Sequence, residues 1–125
     1  MEIIRTDRAP APGGHYSQAV VHAGTLYTAG LLPVDAETGE KVLGSVEEQA
    51  ECVLANLEAI LSAAGAGRED VLRCTVYVSD IGDWGAINEV YARFFGEHRP
   101  ARTVVPTPGL HHGFALELEA VAAMG

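Results

Sequence analysis

Apolar and polar positions alternate along the chain in two rhythms, a period of two in several short runs and a period near 3.6 in two longer ones. Residues 18–22 and 25–29 are short apolar runs on either side of Ala23-Gly24, which predicts a hairpin. Residues 33–41 collect turn formers (Asp35, Thr38-Gly39) and predict a loop, followed by a short strand at 42–43. Ser45 with Glu48 three residues on is a capping box. Behind it Val46, Ala50, Val53, Leu54, Leu57, Ile60, Leu61 and Ala64 fall on one helical face, and Gly65 supplies the stop. Cys52 lies well off that stripe, so its thiol is expected to face solvent or a partner chain. Residues 72–79 alternate, with Leu72, Cys74, Val76 and Val78 on one face and Arg73, Thr75 and Tyr77 on the other. A second helix is predicted over 83–95, carrying Trp84, Ile87, Val90, Tyr91, Phe94 and Phe95 and ended by Gly96. Residues 102–105 are β-branched or extended, Pro106 and Pro108 interrupt, and a final strand is expected over 114–122.

The order β-β-(β)-α-β-α-β-β describes one α+β domain over residues 1–125, with two helices on one face of a mixed sheet. Residues 6–15, rich in turn formers, precede it as an arm or loop. Two helices cover only one sheet face. On the final strand Phe114, Leu116, Leu118 and Ala120 point one way and Ala115, Glu117, Glu119 and Val121 the other. With Arg73, Thr75 and Tyr77, the second face is neither a dry core nor a plain solvent surface. Packing these faces together in a closed oligomer accounts for that mixture.

Composition narrows the partners. The 125 residues hold 17 Asp+Glu against 8 Lys+Arg, a formal charge of −9, with Lys41 the single lysine and the arginines scattered. Nucleic-acid binding rests on phosphate contacts from basic patches, so nucleic acid and anionic membrane surfaces are disfavoured. No run approaches a membrane span, the first residues lack the apolar stretch of a secretory signal, and two cysteines are too few for a disulfide scaffold. A cytoplasmic protein is expected.

No phosphate-cradling loop, Cys-x-x-Cys pair, HExxH or GxSxG element is present, so neither a cofactor nor a metal is expected. His111-His112 are adjacent and read as loop residues, and Ser17 as the polar start of a strand. What remains is Arg102, delivered into a strand start, and Glu117 and Glu119 on one face of the final strand, about 7 Å apart at ~3.3 Å per residue. An arginine fork suits a substrate carboxylate. A carboxylate among apolar walls and near another acid has a raised pKa and suits proton transfer on a bound water. An Arg–Glu ion pair that merely completes a half-buried face is the competing reading.

Segments in order along nearly the whole chain resemble the RidA/YjgF family of reactive-intermediate imine deaminases. They include Gly14-His15-Tyr16-Ser17-Gln18, Tyr27-Thr28-Ala29-Gly30-Leu31-Leu32-Pro33, Asp70 to Asp80, Pro100-Ala101-Arg102 and Glu117-Leu118-Glu119-Ala120. The resemblance implies the YjgF (chorismate mutase-like) fold and a homotrimer with clefts between subunits. It implies that Arg102 holds the carboxylate of a 2-imino or enamino acid, Tyr16 closes the pocket and Glu117 activates water. Gly30, Ala29, Leu31, Asn88 and Val104 then line the cleft. Three positions depart from the family pattern: Ala29 and Leu31 stand where Ser and Gln are common around Gly30, and Val104 where Cys is common. These make the cleft more apolar. A trimer that only binds small carboxylates, or a hydrolase or reductase acting on another small carboxylate-bearing substrate, are the alternatives.

Overall fold

The hairpin forms as the pattern requires: strand β2 (Ala19–His22) pairs antiparallel with β3 (Thr25–Thr28), His22 opposite Thr25. Ala23 and Gly24 between them take φ of 51° and 77°, the left-handed pair that turns a two-residue hairpin in the sense of the strand twist. The computed structural model describes all 125 residues. A further strand, β1 (Glu2–Ile4), adds to the outer edge of β2 and buries Ile4. This is the third strand of the first half, in place of the one expected at 42–43. There the loop closes instead through a lone Val34–Lys41 bridge and a Val42 N–H bond to the Pro33 carbonyl.

Helix α1 (Val46–Ala63) starts on the predicted box, with the Ser45 hydroxyl accepting from the Glu48 N–H at 3.1 Å and the Glu48 carboxylate accepting from the Ser45 N–H at 3.4 Å. Ala50, Val53, Leu54, Leu57, Ile60 and Leu61 are buried as its core stripe. Helix α2 (Trp84–Phe95) contributes Ile87, Val90, Tyr91 and Phe95, and ends at Gly96 with φ 64°. Both helices cover one face of a six-stranded sheet of order β1-β2-β3-β6-β4-β5, built with β4 (Val71–Val78), β5 (Ala101–Pro106) and β6 (Leu116–Ala123). The β4–β5 pair is parallel and the other pairs antiparallel, so the sheet is mixed.

Three local expectations change. A bulge between Val71 and Arg73 shifts the register of β4 by one residue. Val71 therefore fills the core, and Leu72 turns outward, 52% exposed. Cys52 does not face solvent: it is half-buried, its Sγ 3.4 Å from the Val34 carbonyl oxygen, because the 33–41 loop folds back over α1. Ser17 lies ahead of β2 rather than within it, as does its neighbour, and the strand opens at Ala19. Gln18, 5% exposed, accepts from the Thr6 N–H at 2.8 Å and donates to the Thr6 and Pro10 carbonyls, pinning the N-terminal loop to the sheet.

Candidate active site

Register decides which side chains meet. Arg102 on β5 lies beside Cys74 on β4, and Cys74 lies beside Ala120 on β6, so Arg102 points to the helix-covered face. There one guanidinium nitrogen donates to Asn88 Oδ1 at 2.8 Å. The group also stacks over the Trp84 and Tyr91 rings of α2, 4.6 and 5.1 Å from their centroids. Trp84, Asn88 and Tyr91 recur at helical spacing, so one face of α2 brackets the guanidinium from two sides. No carboxylate pairs with it; the chain's ion pairs are Arg68–Glu58 and Arg93–Glu51. Arg102 borders an open cleft of about 420 Å³ shared with His98, Arg99 and Pro100. Beneath it, burial raises the Cys74 thiol to about 11 and pushes the Tyr91 hydroxyl above its usual range, so both stay protonated.

Glu117 lies beside Tyr77 on β4 and points to the opposite, helix-free face. It borders a cleft of about 560 Å³ together with Tyr16, Ala29, Gly30, Leu32, His111 and His112. Its carboxylate packs against the Gly30 backbone so closely that a methyl group there would overlap Oε2. Glycine is needed for this close approach, since Gly30 has no left-handed φ. Burial, then repulsion from Glu119, push the Glu117 carboxyl above the usual carboxylate range, and His111 pulls it partly back. Glu119 does not share the cleft: its carboxylate accepts from the Tyr77 hydroxyl at 2.7 Å. Tyr16, 53% exposed, stands at the rim with its hydroxyl accepting from the Gly13 N–H at 3.2 Å.

The remaining candidates divide. Leu31 exchanges main-chain hydrogen bonds with Leu118 at 2.7 and 3.1 Å, and its side chain is buried. It lines an adjoining cavity of about 250 Å³ with Ala29, Asn56 and Ile60, not the Glu117 cleft itself. Val104 shares the Arg102 face, beside Val76, and packs against the core. A single chain thus holds two half-sites on opposite faces of one sheet: Arg102 with Asn88, and Glu117 with Tyr16, Ala29 and Gly30. The expected meeting of Arg102 with the glutamates does not occur within one chain. Sequence reasoning placed Trp84 and Tyr91 in the core stripe of α2 and set His111 and His112 aside as loop residues. The polar Asn88 interrupting that stripe was the available signal for the arginine bracket. No group of three His, Cys, Asp or Glu side chains is placed to hold a metal ion.

The family model described as endoribonuclease L-PSP, the RidA/YjgF group, matches residues 6–124. The chain belongs to this family. A RutC family protein of Pyrococcus horikoshii is 46% identical over 121 residues, covering 97% of this chain and 96% of the relative. The rat 2-iminobutanoate/2-iminopropanoate deaminase is 40% identical over 124 residues, covering 99% and 90%. Among solved structures, a putative endoribonuclease of Thermotoga maritima superposes with a TM-score of 0.96 at 43% identity, covering 100% of this chain and 98% of that one. E. coli TdcF with bound serine superposes with 0.95 at 39% identity, covering both chains fully. The RidA/YjgF fold and family are therefore those of this chain. No helix is long and apolar enough to cross a membrane.

Proposed function

We propose that the protein hydrolyses 2-imino acids and their enamine tautomers to 2-oxo acids and ammonia, in clefts between the copies of a homotrimer. Arg102 and Asn88 come from one copy; Glu117, Tyr16 and Gly30 come from the next. The observation that carries this reading is the Arg102 guanidinium, oriented by Asn88 and two aromatic rings yet paired with no carboxylate of its own chain. A bracketed, uncompensated arginine fork is a ready receptor for a substrate carboxylate. Similarity to the rat deaminase supports the reaction, and the serine bound to TdcF supports a small amino-acid-like ligand.

The chemistry needs little. Once the carboxylate is held by Arg102, water adds at C2 of the imine while Glu117 takes its proton. The resulting carbinolamine expels ammonia and leaves the 2-oxo acid. A carboxylate whose pKa is raised by burial is a stronger base than one in water. One positioned proton acceptor contributes ~10²–10⁴-fold. Tyr16 at the rim is the group available to close over the substrate.

One observation favours a second reading, a trimer that binds small carboxylates without turning them over. Glu117 has no hydrogen-bond donor from Ala29 or Leu31, so the cleft offers less to fix a water. A single assay separates the two. With a 2-imino acid generated in situ, wild type accelerates 2-oxo acid formation, and Arg102→Ala and Glu117→Ala each abolish the acceleration. Ligand binding without acceleration by wild type favours the binding reading. Acceleration that survives Arg102→Ala places the chemistry elsewhere.

A further inference from the structure

The Glu117 cleft holds a pair of imidazoles that imine hydrolysis by a lone carboxylate leaves unused. His111 and His112 sit on a short turn (His111–Gly113) between β5 and β6, and both border the cleft with Glu117. The turn presents them in a costly conformation: His112 adopts φ 58°, ψ 17°, one of only two non-glycine residues in the left-handed region. Its ring lies 4.9 Å from that of His111 and meets the buried Phe114 ring edge-on at 5.8 Å, and both imidazoles are exposed where they border the cleft. Desolvation, Lys41 and His111 together push the His112 imidazole below its usual value. Of the two, it is His111 whose charge acts on the Glu117 carboxyl and pulls it down. The other charged groups around the pair are Glu119, behind Glu117 on β6, and Lys41, on the loop after β3.

We propose that His111 is a second catalytic residue of the cleft, the acid that protonates the departing nitrogen. The proposal rests on the hydrolysis reading above. Starting from the protonated imine, Glu117 accepts a proton from water as the C2–O bond forms, giving a neutral carbinolamine. His111, as imidazolium, protonates the amino nitrogen. The C–N bond breaks with its electron pair leaving on ammonia, and the protonated 2-oxo acid returns its hydroxyl proton to His111. Ammonia takes the proton held by Glu117 and departs as ammonium, so both side chains regain their starting states. Splitting the two proton transfers between a carboxylate of raised pKa and an imidazole follows the usual separation of base and acid in one site. Imidazole is the side chain whose charge changes between pH 5 and 8, so it serves this role at neutral pH.

The pH dependence of kcat, with a 2-imino acid generated in situ, tests the assignment. Wild type gives a bell whose alkaline limb reports the acid and whose acid limb reports the base. His111→Gln lowers kcat by ~10²-fold and removes the alkaline limb. Its acid limb moves to higher pH, and the Glu117 carboxyl titrates higher by carbon-13 NMR, because the cation that pulls it down is gone. His22→Gln, at the far end of the hairpin, leaves the bell unchanged. An intact alkaline limb in His111→Gln, or an unmoved Glu117 titration, overturns the role of His111 while leaving hydrolysis standing. A wild type that accelerates nothing removes the hydrolysis reading, and the role of His111 with it.

Discussion

The Glu117 carboxylate rests against the Gly30 backbone, and this contact is expected to link activity to stability through one carboxylate. Desolvation raises the Glu117 pKa in the folded protein. The sign follows directly: the folded state prefers the protonated acid, so this group's contribution to stability is full below its unfolded pKa and is lost as pH rises through the folded value. Ionising Glu117 in the folded protein is thus a cost to the fold. Gly30→Ala pushes the carboxylate aside without straining the backbone, because Gly30 is not left-handed and the clash is with the movable end of a side chain. The variant should lose about 10- to 100-fold in kcat, since a displaced base forfeits much of its ~10²–10⁴-fold effect. The acid limb of its pH profile should move down toward the ordinary carboxylate range. Its Tm at pH 7 should hold or rise slightly. A large fall in Tm would show instead that Gly30 serves the fold. The sequence identified both partners but not their contact, since nothing local to residues 29–31 announces that a side chain from β6 rests on that backbone.

At the scale of elements, α2 acts as the mount for Arg102. Its Trp84, Asn88 and Tyr91 hold the guanidinium by one hydrogen bond and two ring faces. Cation–π contacts contribute ~0.5–2 kcal/mol each depending on exposure. Trp84→Leu and Asn88→Ala should therefore raise KM about 3- to 30-fold with kcat much less affected, because they loosen the carboxylate receptor and not the base. Steady-state kinetics on the imino acid checks this; a fall confined to kcat would place α2 in the chemical step. The same element shows what pattern reading captures. Both helices, their stops at Gly65 and Gly96, and the alternation of β6 were legible, because amphipathic periodicity and caps are written locally. Strand β1 was not, since three residues with one buried side chain carry no period and depend on β2 for their pairing. The bulge at Leu72 was hidden for a related reason: a one-residue register shift is set by the partner strand, and it reverses which side chain is inward.

For the whole molecule, the placement of Arg102 and Glu117 on opposite sheet faces is the fact with the widest consequence. Counting residues cannot show it, because parity is lost across the loop between β5 and β6 and is restored only by pairing both strands to β4. The mixed character of the helix-free face was legible, and it pointed to association between copies. If copies close a ring, each Arg102 half-site meets a neighbour's Glu117 half-site, and a complete cleft always draws on two chains. Complementation follows. Arg102→Ala and Glu117→Ala should each be inactive alone, yet when unfolded together in equal amounts and refolded they should recover about one quarter of wild-type activity, the fraction of clefts in which an intact arginine meets an intact glutamate by random mixing. Light scattering of each variant should give a mass near three times the 13.2 kDa of one chain, which establishes that each substitution leaves assembly intact. A mixture that stays inactive while assembling normally would show that both groups serve a site within one chain. That outcome would require β5 or β6 to leave the register described here, and a crystal structure of the assembly would reveal it directly.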